Sequence, residues 1–139
     1  MRVNWHTYFM NIAQQVSTRG TCDRKRVGAV VVRDRAILAT GYNGSLPGAP
    51  HCDDVGHDMV DNHCVRTVHA EANAIAQAAK HGVPLEGADI YVTVSPCLTC
   101  LKLVISAGIT RVFYLENYTN IALSDYALKS GVELIQLEA

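Results

Sequence analysis

From residue 88 onward the chain alternates between two periodicities, and this limits the folds open to it more than any other feature. "ADIYVTVS" (88–95), "TRVFYLE" (110–116) and "VELIQL" (132–137) are short strand-like runs rich in β-branched and aromatic residues. Between them, "CLTCLKLVISAG" (97–108) and "IALSDYALKSG" (121–131) read as helices, the first closed by Gly108. Strands that alternate with helices favour parallel pairing. Upstream, "VGAVVVRD" (27–34) and "AILATGY" (36–42) are apolar runs that form a hairpin. Residues 3–17 place Val3, Tyr8, Phe9, Ile12, Ala13 and Val16 at helical spacing, and residues 68–80 form a further helix ended by Gly82 and Pro84. The expected architecture is α/β: a three-layer α/β/α domain around a mixed five-stranded sheet.

A chain of 139 residues fits a single domain spanning 1–139. Apolar residues at 49% and charged residues at 18% describe a globular chain. A net charge of -1 offers no basic field for nucleic acid, but it leaves a small phosphorylated ligand open. The N-terminal "MRVNWHTYFMNIAQQVS" reads as neither signal peptide nor membrane span, so no membrane partner and a cytoplasmic location are expected. In that compartment cysteines serve more often as metal ligands or catalytic groups than as disulfides. There are five, Cys22, Cys52, Cys64, Cys97 and Cys100, and six histidines. Six of these eleven residues crowd between His51 and His69, which points to metal. The stretch 43–64 shows no periodicity, and a loop of that length is uncommon without a function or an ion to order it.

Two motifs carry chemistry. In "RTVHAEANAIAQAAK" (66–80), His69 and Glu71 sit at the start of a helix. Alone, Glu71 is an acidic first-turn residue that suits the helix dipole. In "SPCLTC", Pro96, Cys97 and Cys100 mark a strand-to-helix junction where a helix start favours thiolates. Alone, that pair has a redox dithiol as its alternative reading. Taken together, one imidazole and two thiolates bind a tetrahedral Zn²⁺ and leave one position open, as in a catalytic site. Glu71 is too close in sequence to His69 to be an easy fourth ligand, but it can take the proton of a metal-activated water. H-x-E followed by P-C-x-x-C is the signature of zinc nucleobase deaminases.

Preceded by "VGAVVV" and "TGYNGSLPGAPHC", the motifs "HAEANAI" and "SPCLTC" resemble the deoxycytidylate (dCMP) deaminase family of phage and bacterial type, within the cytidine deaminase-like fold. The resemblance runs from Cys22 to about Tyr118. It implies hydrolysis of dCMP at C4 to dUMP and ammonia, supplying thymidylate synthesis, with Glu71 shuttling protons to N3 and the leaving amine. Asn43 can bond the base or sugar, or form an Asn-Gly turn with Gly44. The backbone of Ala70 and the carbonyl of Ser95 can read the base. Arg26 suits a phosphate, or belongs with Arg24 and Lys25 to a solvated charge run. The family comparison adds the Tyr118 hydroxyl.

Cys22, Cys52, His57 and Cys64 form a candidate second, structural zinc site that would tie the long loop to the strand edge, with His51 or His63 able to replace His57. The alternative is buried thiols and solvated histidines. The family further implies activation by dCTP and inhibition by dTTP, bound with Mg²⁺ at subunit interfaces of a homohexamer. The segment Gly41, Tyr42, Asn43 and Gly44 would line that effector pocket. Two rival readings are a deaminase of a tRNA adenosine or a pterin-like ring, and a zinc-stabilised binding module without catalysis. Glu71 argues against the second, because a structural site closes its coordination sphere and needs no proton shuttle.

Overall fold

The computed structural model describes residues 1–138 except 23–24, 58, 61–62, 65–66 and 118–120, with the backbone alone at 53, 63, 64, 121 and 122. Its elements are α1 (Trp5–Ser17), β1 (Gly28–Arg33), β2 (Ala36–Tyr42), β3 (Gly44–Ser45), α2 (Cys52–Val55), β4 (Met59–Val60), β5 (His63–Cys64), β6 (Thr67–Val68), α3 (Ala70–His81), β7 (Asp89–Val94), α4 (Leu98–Ser106), β8 (Arg111–Glu116), α5 (Ile121–Ser130) and β9 (Glu133–Gln136). The main sheet has five strands in the order β2-β1-β7-β8-β9. Pairing is antiparallel across β2, β1 and β7, then parallel across β7, β8 and β9. The mixed sheet expected from the alternation is therefore present. β1 and β2 join through Asp34 and Arg35, both with positive φ (53° and 63°), which matches a two-residue hairpin to the twist of its strands.

Period-two alternation sorts the strands between two cores. Ala29, Val31, Ile90, Val92 and Val112 face α3, α4 and α5, while Val30, Val32, Tyr91 and Phe113 face Phe9, Met10 and Ala13 of α1. The sheet thus lies between α1 and the other three long helices, giving three layers. On α3 the buried alanines fall at positions 70, 74 and 78, a stripe that lets the helix lie close to the sheet. At Gly41 the two backbones leave no room for a side chain. A Cβ there would fall 2.3 Å from the Ala70 carbonyl oxygen and 2.4 Å from the Ala74 nitrogen. No helix among the described residues is long and apolar enough to cross a membrane.

The stretch expected to be a bare loop is instead organised by short elements. β3 pairs with β6 and β4 with β5, each through two residues, and α2 makes one turn at Cys52. These ladders are too short to leave a periodicity, and β3 and β6 are also distant in sequence, so no pattern of residues announces them.

Candidate active site

The two motifs meet where α3 and α4 begin. His69 is the N-cap of α3, with extended backbone (φ −64°, ψ 154°) and no side-chain capping bond. Its ring is directed instead at the other motif: Nδ1 lies 3.5 Å from the Cys97 Sγ and 3.3 Å from the Cys100 Sγ. Cys97 is the N-cap of α4 and its sulfur accepts the Cys100 N–H at 3.5 Å. Asn73, one turn into α3, donates through Nδ2 to the Tyr42 carbonyl (2.8 Å) and the Val68 carbonyl (3.3 Å), fixing the residue that precedes His69. Nothing in the sequence singled out Asn73 beyond its being an amide among alanines.

This donor set fits zinc. With Zn–N near 2.0 Å and Zn–S near 2.3 Å, the N···S edge of a tetrahedron is about 3.5 Å, close to both distances observed. The electrostatics agree. Hydrogen bonds from the Cys100 thiol and then from His69 pull Cys97 down to about 4, into the thiolate range, and the Cys97 thiolate in turn raises His69. Cys100, donating to that thiolate and buried, is pushed up. A divalent cation takes the place of these shared protons and lets both sulfurs ionise.

Glu71 is 4% exposed, and burial pushes its carboxyl up to about 7, against the opposing pull of its own backbone N–H and of His69. The Cys100 thiol lies within hydrogen-bonding reach of it. A carboxyl held in a protein wall beside three soft ligands is placed to exchange protons with whatever occupies the open metal position.

Around this centre the other expected residues divide. Ala70 and Ser95 are buried, at the start of α3 and just after β7. Asn43 is also buried, and its carboxamide works as a clamp. Oδ1 accepts from the Val27 N–H at 2.7 Å and Nδ2 donates to the Lys25 carbonyl at 2.5 Å. Its backbone accepts from Thr21 and donates to Val27. Arg26 sends Nε to the Gly20 carbonyl (3.2 Å) and lines a groove of about 850 Å³ beside β2. Gly41, Tyr42 and Gly44 line the same groove, whereas Asn43 turns away from it. Arg19, His51 and His81 add basic groups to its wall. Tyr118 and Arg24 lie outside the described residues.

A second cluster stands near the groove. Cys22, Cys52 and His57 bring their ligand atoms within 4.8 Å of one another, the Cys22 Sγ lying 3.3 Å from the His57 Nδ1. Two sulfurs and an imidazole at that spacing also suit zinc. The Cys64 side chain lies outside the described part of the structure, as does that of His63. His51 is exposed and lines the groove.

Comparison with known proteins agrees with this geometry. A family model described as "Cytidine and deoxycytidylate deaminase zinc-binding region" matches residues 3–116. The chain is 48% identical over 138 residues to ComE operon protein 2 of Bacillus subtilis, a match covering 99% of this chain and 73% of that protein. It is 39% identical over 125 residues to the deoxycytidylate deaminase of Mycobacterium phage D29, covering 81% of this chain and 95% of the phage enzyme. Among solved structures, the dCMP deaminase of cyanophage S-TIM5 in complex with dCMP and dUMP superposes with a TM-score of 0.85 at 31% identity, covering 99% of both chains. With its His-Cys-Cys centre and buried glutamate, the chain belongs to the cytidine and deoxycytidylate deaminase family of zinc-binding proteins.

Proposed function

We propose that this protein is a dCMP deaminase, hydrolysing dCMP to dUMP and ammonia and so supplying dUMP for thymidylate synthesis. The observation that carries this is the convergence of His69, Cys97 and Cys100 beside the buried Glu71. Relatives named deoxycytidylate deaminase and the dCMP-bound phage structure support the substrate. Bound by His69, Cys97 and Cys100, zinc supplies Lewis-acid activation of the attacking water. Glu71 takes the proton released in that attack and passes it to the ring N3, then takes the proton of the new C4 hydroxyl and delivers it to the departing amine as the C4 carbonyl forms. The backbone of Ala70 and the carbonyl of Ser95 read the edge of the base. Asn43 keeps a second hydrogen on Nδ2 and a second lone pair on Oδ1 for the base or sugar, beyond its bonds to Lys25 and Val27. Arg26 and Tyr118 are assigned to the phosphate.

The finer parts of the proposal concern regulation and assembly. The basic groove bordered by Gly41, Tyr42 and Gly44 is assigned to dCTP as activator and dTTP as inhibitor, each with Mg²⁺, in a homohexamer. Cys22, Cys52 and His57, with Cys64, are assigned to a structural zinc. A single domain working in the cytoplasm completes the reading. The test is loss of cytosine absorbance with dCMP, cytidine and dCTP side by side, each with and without dCTP and Mg²⁺. Turnover preferring dCMP is expected. Preference for cytidine overturns the assignment.

A further inference from the structure

An ion pair crosses the end of β7, where the chain turns into the metal ligands. Lys25 Nζ lies 2.7 Å from Glu116 Oε2, although the two residues are 91 apart in sequence. Both are anchored through their backbones. Asn43 holds the Lys25 carbonyl and the Val27 N–H. Glu116 stands opposite Val94 in the parallel β7–β8 ladder, and its carbonyl accepts the Ser95 N–H at 2.8 Å. The Gly28 N–H reaches the Thr93 Oγ1, so the segment before β1 continues past the end of β7 towards Ser95 and Pro96. Cys97 follows directly. The bridge therefore spans the lip of the catalytic edge, with the two side chains 57% and 62% exposed.

Arg26 reaches the Gly20 carbonyl and lines the groove, while Lys25 reaches Glu116 at the end of β8. An exposed Lys–Glu pair is weak, because water screens it and two flexible side chains must be ordered to form it. A nucleoside monophosphate carries close to two negative charges at neutral pH on three acceptor oxygens, against one charge on a carboxylate. Anchored by its base in the pocket, such a phosphate outcompetes Glu116 for the ammonium. A nucleoside has nothing to exchange for the carboxylate.

We infer that Lys25 positions the phosphate of a pyrimidine nucleoside monophosphate and that Glu116 is its built-in counter-charge, so that the pair discriminates nucleotide from nucleoside. This rests on the dCMP reading above and deepens it by naming the residues that set its substrate class.

The test is titration calorimetry of the zinc-loaded protein with dUMP and with deoxyuridine, together with steady-state deamination of dCMP and deoxycytidine. Lys25→Met is expected to raise the dUMP Kd and the dCMP KM about tenfold, the loss of one charge-assisted contact. It leaves kcat and both nucleoside constants unmoved. Glu116→Gln is expected to lower the dUMP Kd about threefold, the effect of removing one exposed competing charge. That gain shrinks in the Lys25→Met background, because the two residues act as one unit. Equal shifts for nucleotide and nucleoside reveal a merely structural role and overturn the inference, as do unchanged constants. If dUMP binding responds as stated while dCMP is not turned over, the deaminase reading falls and the charge pair stands. If dCMP is turned over but Lys25→Met leaves its KM and the dUMP Kd unmoved, the charge pair alone falls.

Discussion

Gly41→Ala is the substitution that most sharply probes how the sheet holds the catalytic helix. The residue is glycine for want of space. Its added Cβ would lie 2.3 Å from the Ala70 oxygen and 2.4 Å from the Ala74 nitrogen, where ordinary contact begins at 3.4 Å. Both obstacles are backbone atoms of α3, so no rotamer change relieves them, and α3 must retreat from β2 by about 1 Å. Overpacking of this kind costs about 1–3 kcal/mol, and two backbone contacts place Gly41→Ala in the upper half of that range. For 139 residues that lowers the melting temperature by about 7–10 °C. Ala70 lies between His69 and Glu71, so the same retreat moves both, and a misplacement of about 1 Å costs roughly a hundredfold in turnover. Gly28→Ala is the control. Its Cβ would fall 2.0 Å from the Ala13 oxygen and 2.5 Å from the Ser17 nitrogen, both on α1, which carries none of the candidate site residues. Melting followed by circular dichroism, zinc content, and kcat measured well below both transitions separate the two. Both variants should lose stability, but only Gly41→Ala should lose kcat. Wild-type melting and turnover in Gly41→Ala, or equal loss of kcat in both, refutes the reasoning.

Further outcomes are expected. Glu71→Gln keeps the shape and the three ligands, so zinc per chain and melting temperature should hold while deamination falls about 10²–10⁴-fold, as for loss of a general acid–base; turnover near wild type rules the shuttle out. Cys22→Ser should lower bound zinc from two ions per chain to one by elemental analysis, and a single ion in the wild type removes the second site. Burial and then the Asp89 charge push the Tyr91 phenol up to about 12, and its oxygen lies 2.7 Å from the His6 Nδ1. Folding favours the protonated phenol, so this contribution is intact below pH 10 and is lost as pH rises through about 12. Tyr91→Phe should therefore lack about 1 kcal/mol of the alkaline loss seen in the wild type, read as the difference in urea midpoints between pH 9 and pH 11. Parallel pH profiles contradict that assignment.

What the sequence disclosed, and what it withheld, follows from the range of the forces involved. Strands such as 88–95 and helices such as 68–80 were legible because their periodicity is written residue by residue, and "HAEANAI" and "SPCLTC" because ligand chemistry compels particular residue types at fixed spacing. The pairing of β3 with β6 and of β4 with β5 was not legible, since two-residue ladders are too short to write a periodicity, and β3 meets β6 only once distant segments have been brought together. Asn43 was read as a turn former or substrate ligand, and its clamp on Lys25 and Val27 depends on the hairpin placing its side chain beside the chain ahead of β1. The Lys25–Glu116 bridge joins residues 91 apart and leaves no local trace at all.

The clamp also has a bearing on chemical ageing. Asn43 is followed by Gly44, the dipeptide at which a backbone nitrogen attacks the side-chain amide most readily, because glycine offers no steric protection. Here the amide is 7% exposed and bonded at both ends, which holds its carbon out of line for that attack. Conversion to aspartate would turn the Nδ2 donor into an acceptor facing the Lys25 carbonyl, so one slow reaction in an unfolded or partly opened chain would keep this edge of the sheet from closing again. Folding thereby shelters its own most fragile amide, and peptide mass spectrometry of stored native and urea-unfolded protein should find the lesion at Asn43 accumulating in the unfolded sample alone.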